Sequence, residues 1–174
     1  MARYLLDTNV LVYGFDEAEP EKQARALDVV ARVGRPGPSG PAAALPAQAL
    51  AEFARVATGR LRPPLPADGV FRHVGLYERA FPVVALTPAV VPAAVRGLRD
   101  HAFSYYDAQI WTAARLNQIP VVLSEDLASG STVEGVTFVN PFDPAFDTSE
   151  LCVQTFARLV SRCLSESDKA STEE

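Results

Sequence analysis

Four acidic residues of this chain sit where a carboxylate is hard to keep. Asp7 interrupts the apolar opening run YLLDTNVLVYGF, and Glu52 lies in ALAEFARV beside Ala49, Phe53 and Val56. Asp107 opens the apolar stretch DAQIWTAARL, and Asp126 follows the strand-like VVLS. A carboxylate placed among apolar side chains without a partner either destabilises the fold or takes up a proton. Gathered at one point, four such acids would present only oxygen ligands, which suits hard cations such as Mg²⁺ and Mn²⁺. A divalent ion held there would restore the ionised state and activate a water for in-line attack on a phosphodiester.

Taken singly, most of these acids have a plainer reading. Asp107 can cap a helix after Ser104-Tyr105-Tyr106, Asp126 can cap the turn after its strand, and Glu52 can be a solvated helix acid. Asp7 resists such a reading, because it breaks an otherwise apolar run. The charge distribution favours a cluster. From Asp143 onward there are seven acids and three bases, which leaves residues 1–142 at −1 within a total of −5. Setting the four acids aside brings that body to +3. A mildly basic body around an acidic pit is what a metal-dependent phosphodiesterase requires.

Other chemistries find little support. GRPGPSGP lacks a Lys-Ser/Thr pair, and its three prolines remove amide donors that a phosphate cradle needs, so it reads as a loop. There is no G-x-S-x-G elbow, and His73 and His101 fall in helix-like, arginine-containing stretches. His101 near Arg96 and Arg99 has a phosphate contact as its functional alternative. Cys152 and Cys163 give no zinc spacing, and on one helix they would lie roughly 16 Å apart, too far to bridge.

Positioning the acids requires alternating strands and helices, hence an α/β fold with a mainly parallel sheet. Tyr4–Leu6, PVVAL, PVVLS and VTFV read as strands, and AAALP as a short apolar stretch. Helices are expected over DEAEPEKQARALDVVARV, QALAEFARVATGRL, Asp68 to Arg79, AVVPAAVRGLRDHAF and SYYDAQIWTAARLNQ. In a parallel sheet the carboxyl ends of the strands share one edge, which places Asp7 and Asp126 together. The 174 residues, 48% hydrophobic, suffice for one domain over 1–142. Residues 143–174 form an appendage, with a helix expected over 150–164 and a polar, frayed tail beyond. No apolar run approaches the roughly 20 residues of a membrane span, and no signal-peptide layout is present, so a cytoplasmic protein is expected.

The segments LLDTNVLVYGFD, QALAEFARV, FSYYDAQIWTAAR, VVLSEDL and VTFVNPF together resemble the PIN-domain ribonucleases. They are most similar to the VapC-type toxins of bacterial toxin–antitoxin pairs. The resemblance runs in order over residues 4 to 142 and implies a PIN-like three-layer α/β/α sandwich. It implies Asp7, Glu52, Asp107 and Asp126 as the catalytic acids, with Mg²⁺ or Mn²⁺ as cofactor. Asp7, Asp107 and Asp126 are the expected ligands, and Glu52 a further ligand or a base acting through water. Thr8, Asn9 and Ser124 match positions that orient those carboxylates. Glu125 is the near rival of Asp126, which stands two residues after the matching serine.

The activity so implied is metal-dependent endoribonuclease cleavage, in a toxin with a small cognate antitoxin and a homodimeric state. Fourteen of the sixteen basic residues are arginine, which grips phosphate bidentately. Arg55, Arg60 and Arg62, then Arg96 and Arg99, are the candidate RNA contacts. The alternative is a catalytically silent PIN-like module that binds a regulatory protein.

Overall fold

The structure is a computed structural model and describes residues 2–37 and 40–153. It opens with β1 (Tyr4–Leu6), α1 (Thr8–Tyr13) and α2 (Pro20–Val33). A small ribbon of β2 (Pro36–Gly37) and β3 (Gly40–Pro41) precedes β4 (Ala43–Pro46), α3 (Ala47–Gly59), α4 (Ala67–Ala80) and β5 (Val83–Val84). The second half comprises α5 (Val90–His101), α6 (Tyr105–Leu116), β6 (Val121–Leu123), β7 (Thr132–Val133), β8 (Val136–Val139) and α7 (Glu150–Val153).

Six strands form one sheet in the order β5-β4-β1-β6-β8-β7, parallel throughout except for the antiparallel β7–β8 pair. β1 is flanked on both sides, with Tyr4 opposite Ala43 and Val121, and Leu6 opposite Leu123. That position explains why YLL is apolar without alternation: a central parallel strand is covered on both faces. Its side chains divide between two cores. Tyr4 and Leu6 pack with Val10, Leu11, Val29 and Phe53, whereas Leu5 packs with Ile110, Trp111, Val122 and Phe138. Helices α1–α4 therefore cover one face. On the other lies α6, with α5 packed closely on it at Gly97, where an added Cβ would stand 3.1 Å from the Trp111 ring.

Local chemistry sets the helix ends. Pro20 occupies the first turn of α2, where its missing N–H is no loss, and the helix stops before Gly34. Pro46 and Pro66 stand immediately before α3 and α4. Along α3, Ala49, Phe53 and Ala57 repeat every four residues and are all buried, giving the inward stripe of an amphipathic helix.

The observed elements depart from expectation in several places. The proline-rich GRPGPSGP contains the β2–β3 ribbon, and PVVAL contributes only the two-residue edge strand β5. β7 was not anticipated. It is joined to β8 by Glu134 and Gly135, both at positive φ (46° and 84°), as a tight two-residue hairpin turn requires. In the helix expected over 150–164, Glu150–Val153 is helical, and the rest of that helix and the polar tail lie outside the described residues. The segment after Phe142 packs back on α2. Arg25 donates to the carbonyls of Pro141 (2.7 Å), Asp143 (3.1 Å) and Phe146, Thr148 Oγ1 donates to Asp28 at 2.6 Å, and Leu151 joins the first core. Among the described residues no helix is long and apolar enough to cross a membrane.

Candidate active site

The site begins where β1 ends. The Asp7 amide donates to the Leu123 carbonyl at 3.0 Å, continuing the parallel ladder, so Asp7 and Ser124 emerge side by side from adjacent strands. Asp7 then turns the chain from extended backbone into α1, with Oδ1 accepting from the Thr8 amide at 2.6 Å. Its Oδ2 accepts from Ser124 Oγ at 2.6 Å and from Asn9 Nδ2 at 3.2 Å. With 4% of its surface exposed, the carboxyl is pushed up to about 7. Burial is the main cause; the Ser124 and Thr8 donors pull the other way, and the charges of Asp126 and Asp107 raise it further.

Glu52 approaches from α3. Its Oε2 accepts from Thr8 Oγ1 at 2.7 Å and its Oε1 from Gln48 Nε2 at 3.1 Å, one turn earlier on the same helix. Thr8 thus steadies Glu52 with its hydroxyl while steadying Asp7 with its amide. Gln48 Nε2 also lies 3.5 Å from the Tyr106 carbonyl, tying α3 to the start of α6.

Asp107 is the third residue of α6, and the N-cap is Ser104. Ser104 Oγ accepts from the Asp107 amide at 3.3 Å and donates to its Oδ2 at 2.7 Å, a reciprocal arrangement that fixes the carboxylate. Burial pushes this carboxyl up, Ser104 opposes it, and the charges of Asp126 and Glu52 add to the rise. Asp126 is held by its amide, which donates to Ser124 Oγ at 3.1 Å, and by Asn9 Nδ2, 3.3 Å from its Oδ2. Asp7, Asp107 and Asp126 are therefore within electrostatic reach of one another and Glu52 is within reach of Asp107, each acid oriented by a neutral donor.

None of the four takes part in an ion pair among the described residues. Glu125, by contrast, is claimed by Lys22 at 2.5 Å and by Tyr13 Oη at 2.7 Å. Asn9 Oδ1 is buried with no hydrogen-bond partner among the described residues. An oxygen-only donor set, a desolvated Asp7 with no cation beside it and an orphaned amide oxygen fit a hard divalent ion. The spacing is open, however: among the described residues no three acid, histidine or cysteine side chains stand close enough to surround one ion. An ion here would take a few protein oxygens and keep several waters, as Mg²⁺ ordinarily does.

The candidate RNA contacts divide into two groups. Arg55, Arg60 and Arg62 are exposed on α3 and just beyond it; among the described residues they form no ion pair, and Arg62 reaches only the adjacent Leu61 carbonyl at 3.2 Å. Arg96 and Arg99 are already engaged. Arg96 grips Glu134 at 2.6 and 2.8 Å, and Arg99 grips Asp100 at 2.6 and 3.0 Å. Arg115 (2.7 Å) and His101 (3.2 Å) also meet Glu134, whose carboxyl is held down at about 2, chiefly by Arg96. Through Arg96, His101 and Arg115 this cluster pins the β7–β8 turn to α5 and α6, whereas Arg99 pairs, among the described residues, only with the adjacent Asp100 and its side chain is 75% exposed. His73 packs edge-on against Phe15 at 4.5 Å.

Gln48 and Ser104 add to the residues read from sequence. Both left a local trace: Gln48 precedes Glu52 by one helical turn, and Ser104 precedes Asp107 by the three residues of a capping box. Tyr13 and Lys22 left none, since their contacts to Glu125 span 112 and 103 residues.

Several solved structures share this architecture. VapC20 from Mycobacterium tuberculosis, described as a sarcin–ricin loop cleaving toxin, is similar with a TM-score of 0.58 and 15% identity, covering 75% of this chain and 97% of that one. A toxin–antitoxin complex from Klebsiella pneumoniae gives 0.55 and 17%, covering 79% and 97%. VapBC-1 from nontypeable Haemophilus influenzae gives 0.55 and 16%, again covering 79% and 97%. Identities at this level establish a common fold. No curated protein is significantly similar in sequence. The PIN domain family matches residues 4–128, from the strand that leads into Asp7 to just past Asp126. With more than half of its length so matched, and in the fold just described, this chain belongs to the PIN-domain family.

Proposed function

We propose that the chain is a divalent-metal-dependent endoribonuclease that acts as the toxin of a toxin–antitoxin pair. The observation that carries this reading is the placement of Asp107 and Asp126 near enough to Asp7 to raise its buried carboxyl, with Glu52 joined to Asp7 through Thr8 and none of the four in an ion pair among the described residues. Bound Mg²⁺ or Mn²⁺ would supply charge neutralisation and an activated water. Asp7, Asp107 and Asp126 would hold the ion, with waters completing its shell. Glu52, steadied by Thr8 and Gln48, adds an oxygen ligand or takes a proton through water. Asn9 and Ser124 keep Asp7 and Asp126 in register.

Arg55, Arg60 and Arg62 supply the grip on phosphates, with Arg55 one helical turn beyond Glu52 on α3. Single-stranded or looped RNA is the expected substrate, because its backbone is accessible and its bases can splay. The toxin–antitoxin complex among the similar folds supports an antitoxin partner; in this proposal the antitoxin is small and covers the acids with a basic side chain, and the toxin is a homodimer.

One observation favours the second reading, a silent module that binds a regulatory protein: among the described residues no three acid, histidine or cysteine side chains stand close enough together to hold one metal ion. Cleavage of a cellular RNA pool separates the two. Cutting in Mn²⁺ that disappears in excess EDTA and in Asp7→Ala supports the nuclease. Equal cutting in EDTA, or by the variant, overturns the assignment, and a wild-type protein that binds a small co-purifying partner but cuts nothing supports the silent module.

A further inference from the structure

We propose that Lys22, acting through Glu125 and Tyr13, is a positioning residue for Asp126; the inference rests on the reading of the four acids as an active site. The turn that carries Ser124, Glu125 and Asp126 is fastened to both ends of α1. At the start of the helix, Ser124 donates to Asp7 and Asn9 reaches Asp126. At its end, Tyr13 donates Oη to Glu125 Oε2 at 2.7 Å. Lys22, in the first turn of α2, donates to Glu125 Oε1 at 2.5 Å and to Tyr13 Oη at 3.0 Å, with its ammonium 4.5 Å from the centre of the Tyr13 ring.

The fastening has its own support. Phe142 packs edge-on against Tyr13 with ring centres 4.9 Å apart. Arg25, one turn along α2 from Lys22, holds the carbonyls of Pro141, Asp143 and Phe146. A run of contacts therefore leads from the chain after β8, through α2, to the residue next to Asp126.

Two consequences concern the site rather than general stability. Without Lys22, Glu125 would be a fifth acid with no cation beside four others, and Tyr13 alone would hold the turn at the far end of α1. The Lys22 and Glu125 side chains are 32% and 26% exposed, and partly exposed pairs contribute little to folding. Their effect on placement is larger, because a shift of about 1 Å at a reacting group can cost about a hundredfold in rate.

The test compares wild type with Lys22→Met, Lys22→Arg and Glu125→Gln, and uses Arg32→Met as a control that breaks a different ion pair on α2. Amide hydrogen exchange of the 122–128 segment is read in metal-free protein, and kcat and KM on an RNA oligonucleotide in Mn²⁺. Lys22→Met is expected to speed exchange of that segment about tenfold. It should lower kcat by about 10- to 100-fold while KM stays within about twofold. Lys22→Arg should restore both, Glu125→Gln should act in the same direction as Lys22→Met, and Arg32→Met should leave both unchanged. Unchanged exchange in Lys22→Met and Glu125→Gln overturns the proposal, as does a loss that appears in KM alone or equally in Arg32→Met. A wild-type protein that cuts no RNA overturns the nuclease reading instead, and the exchange measurement still judges the anchor.

Discussion

Ser124 Oγ lies 2.6 Å from Asp7 Oδ2, joining residues 117 positions apart at the carboxyl ends of two neighbouring strands. The hydroxyl donates to the carboxylate and favours its ionised form against the burial that disfavours it. Ser124→Ala should raise the Asp7 carboxyl still further. The acid limb of the pH–rate profile then moves to higher pH, and activity near neutrality falls by about 10- to 100-fold. A profile that overlays the wild type would remove Ser124 from this role.

Asp7 itself should weaken the metal-free fold as pH rises. A carboxyl whose folded value is raised favours the fold while protonated, and that contribution is lost as pH climbs from its ordinary value to the folded one. Here the loss runs from about pH 4 to about 7 and amounts to a few kcal/mol. Asp7→Asn should flatten this dependence, leaving a protein more stable than wild type at about pH 8 yet inactive on RNA. Denaturant titrations in EDTA at acid and alkaline pH measure the difference; parallel wild-type and variant trends would contradict it.

Metal and proton then compete for the same oxygens. Mg²⁺ should raise the thermal midpoint more at about pH 8 than at about pH 5.5, because fewer protons must be displaced. Thermal melts with and without EDTA check this, and an equal shift at both pH values would place the ion elsewhere.

The two groups of arginines should behave differently. Neutralising Arg55 or Arg60 should weaken RNA binding and reduce the slope of log affinity against log salt by about 0.7 to 1 each. Arg96→Gln should leave that slope unchanged and lower thermal stability, since it removes one of the three side chains that hold Glu134 and the hairpin turn. A salt slope altered by Arg96→Gln would return Arg96 to the RNA-binding surface.

Gly97 controls how closely α5 approaches α6. A Cβ there would stand 3.1 Å from the Trp111 ring and 3.2 Å from Ala108 Cβ. Gly97→Ala should cost about 1–3 kcal/mol in denaturant unfolding, the usual penalty for overpacking. Because Ala108 follows Asp107 on the same helix, cleavage should fall with it.

Three of the acids stand out in the sequence because they break a pattern, Asp7 an apolar run and Asp107 and Asp126 the boundary of an element, whereas Glu52 lies inside a helix and is marked only by its apolar neighbours. The helices α2 and α3 were legible from their repeating apolar faces. What stayed hidden depends on partners distant in sequence. Arg96 and Arg55 look alike as letters, and only the fold shows that one meets Glu134, 38 residues away, while the other faces solvent. Glu125 and Asp126 are likewise adjacent acids until Lys22 claims one of them. The β7–β8 turn escaped notice because glutamate rarely takes a positive φ, and the two arginines that hold it there lie on other elements.

The strand order also sets a timetable. β1 sits between β4 and β6, so a growing polypeptide makes its central strand long before one of that strand's neighbours exists. Asp7 is synthesised first among the four acids and Asp126 last. A ribosome-bound chain that has not reached Val121 leaves one flank of β1 open and its acid set incomplete. The cell that makes this protein therefore has the interval between those two aspartates in which the chain is present but its site is not.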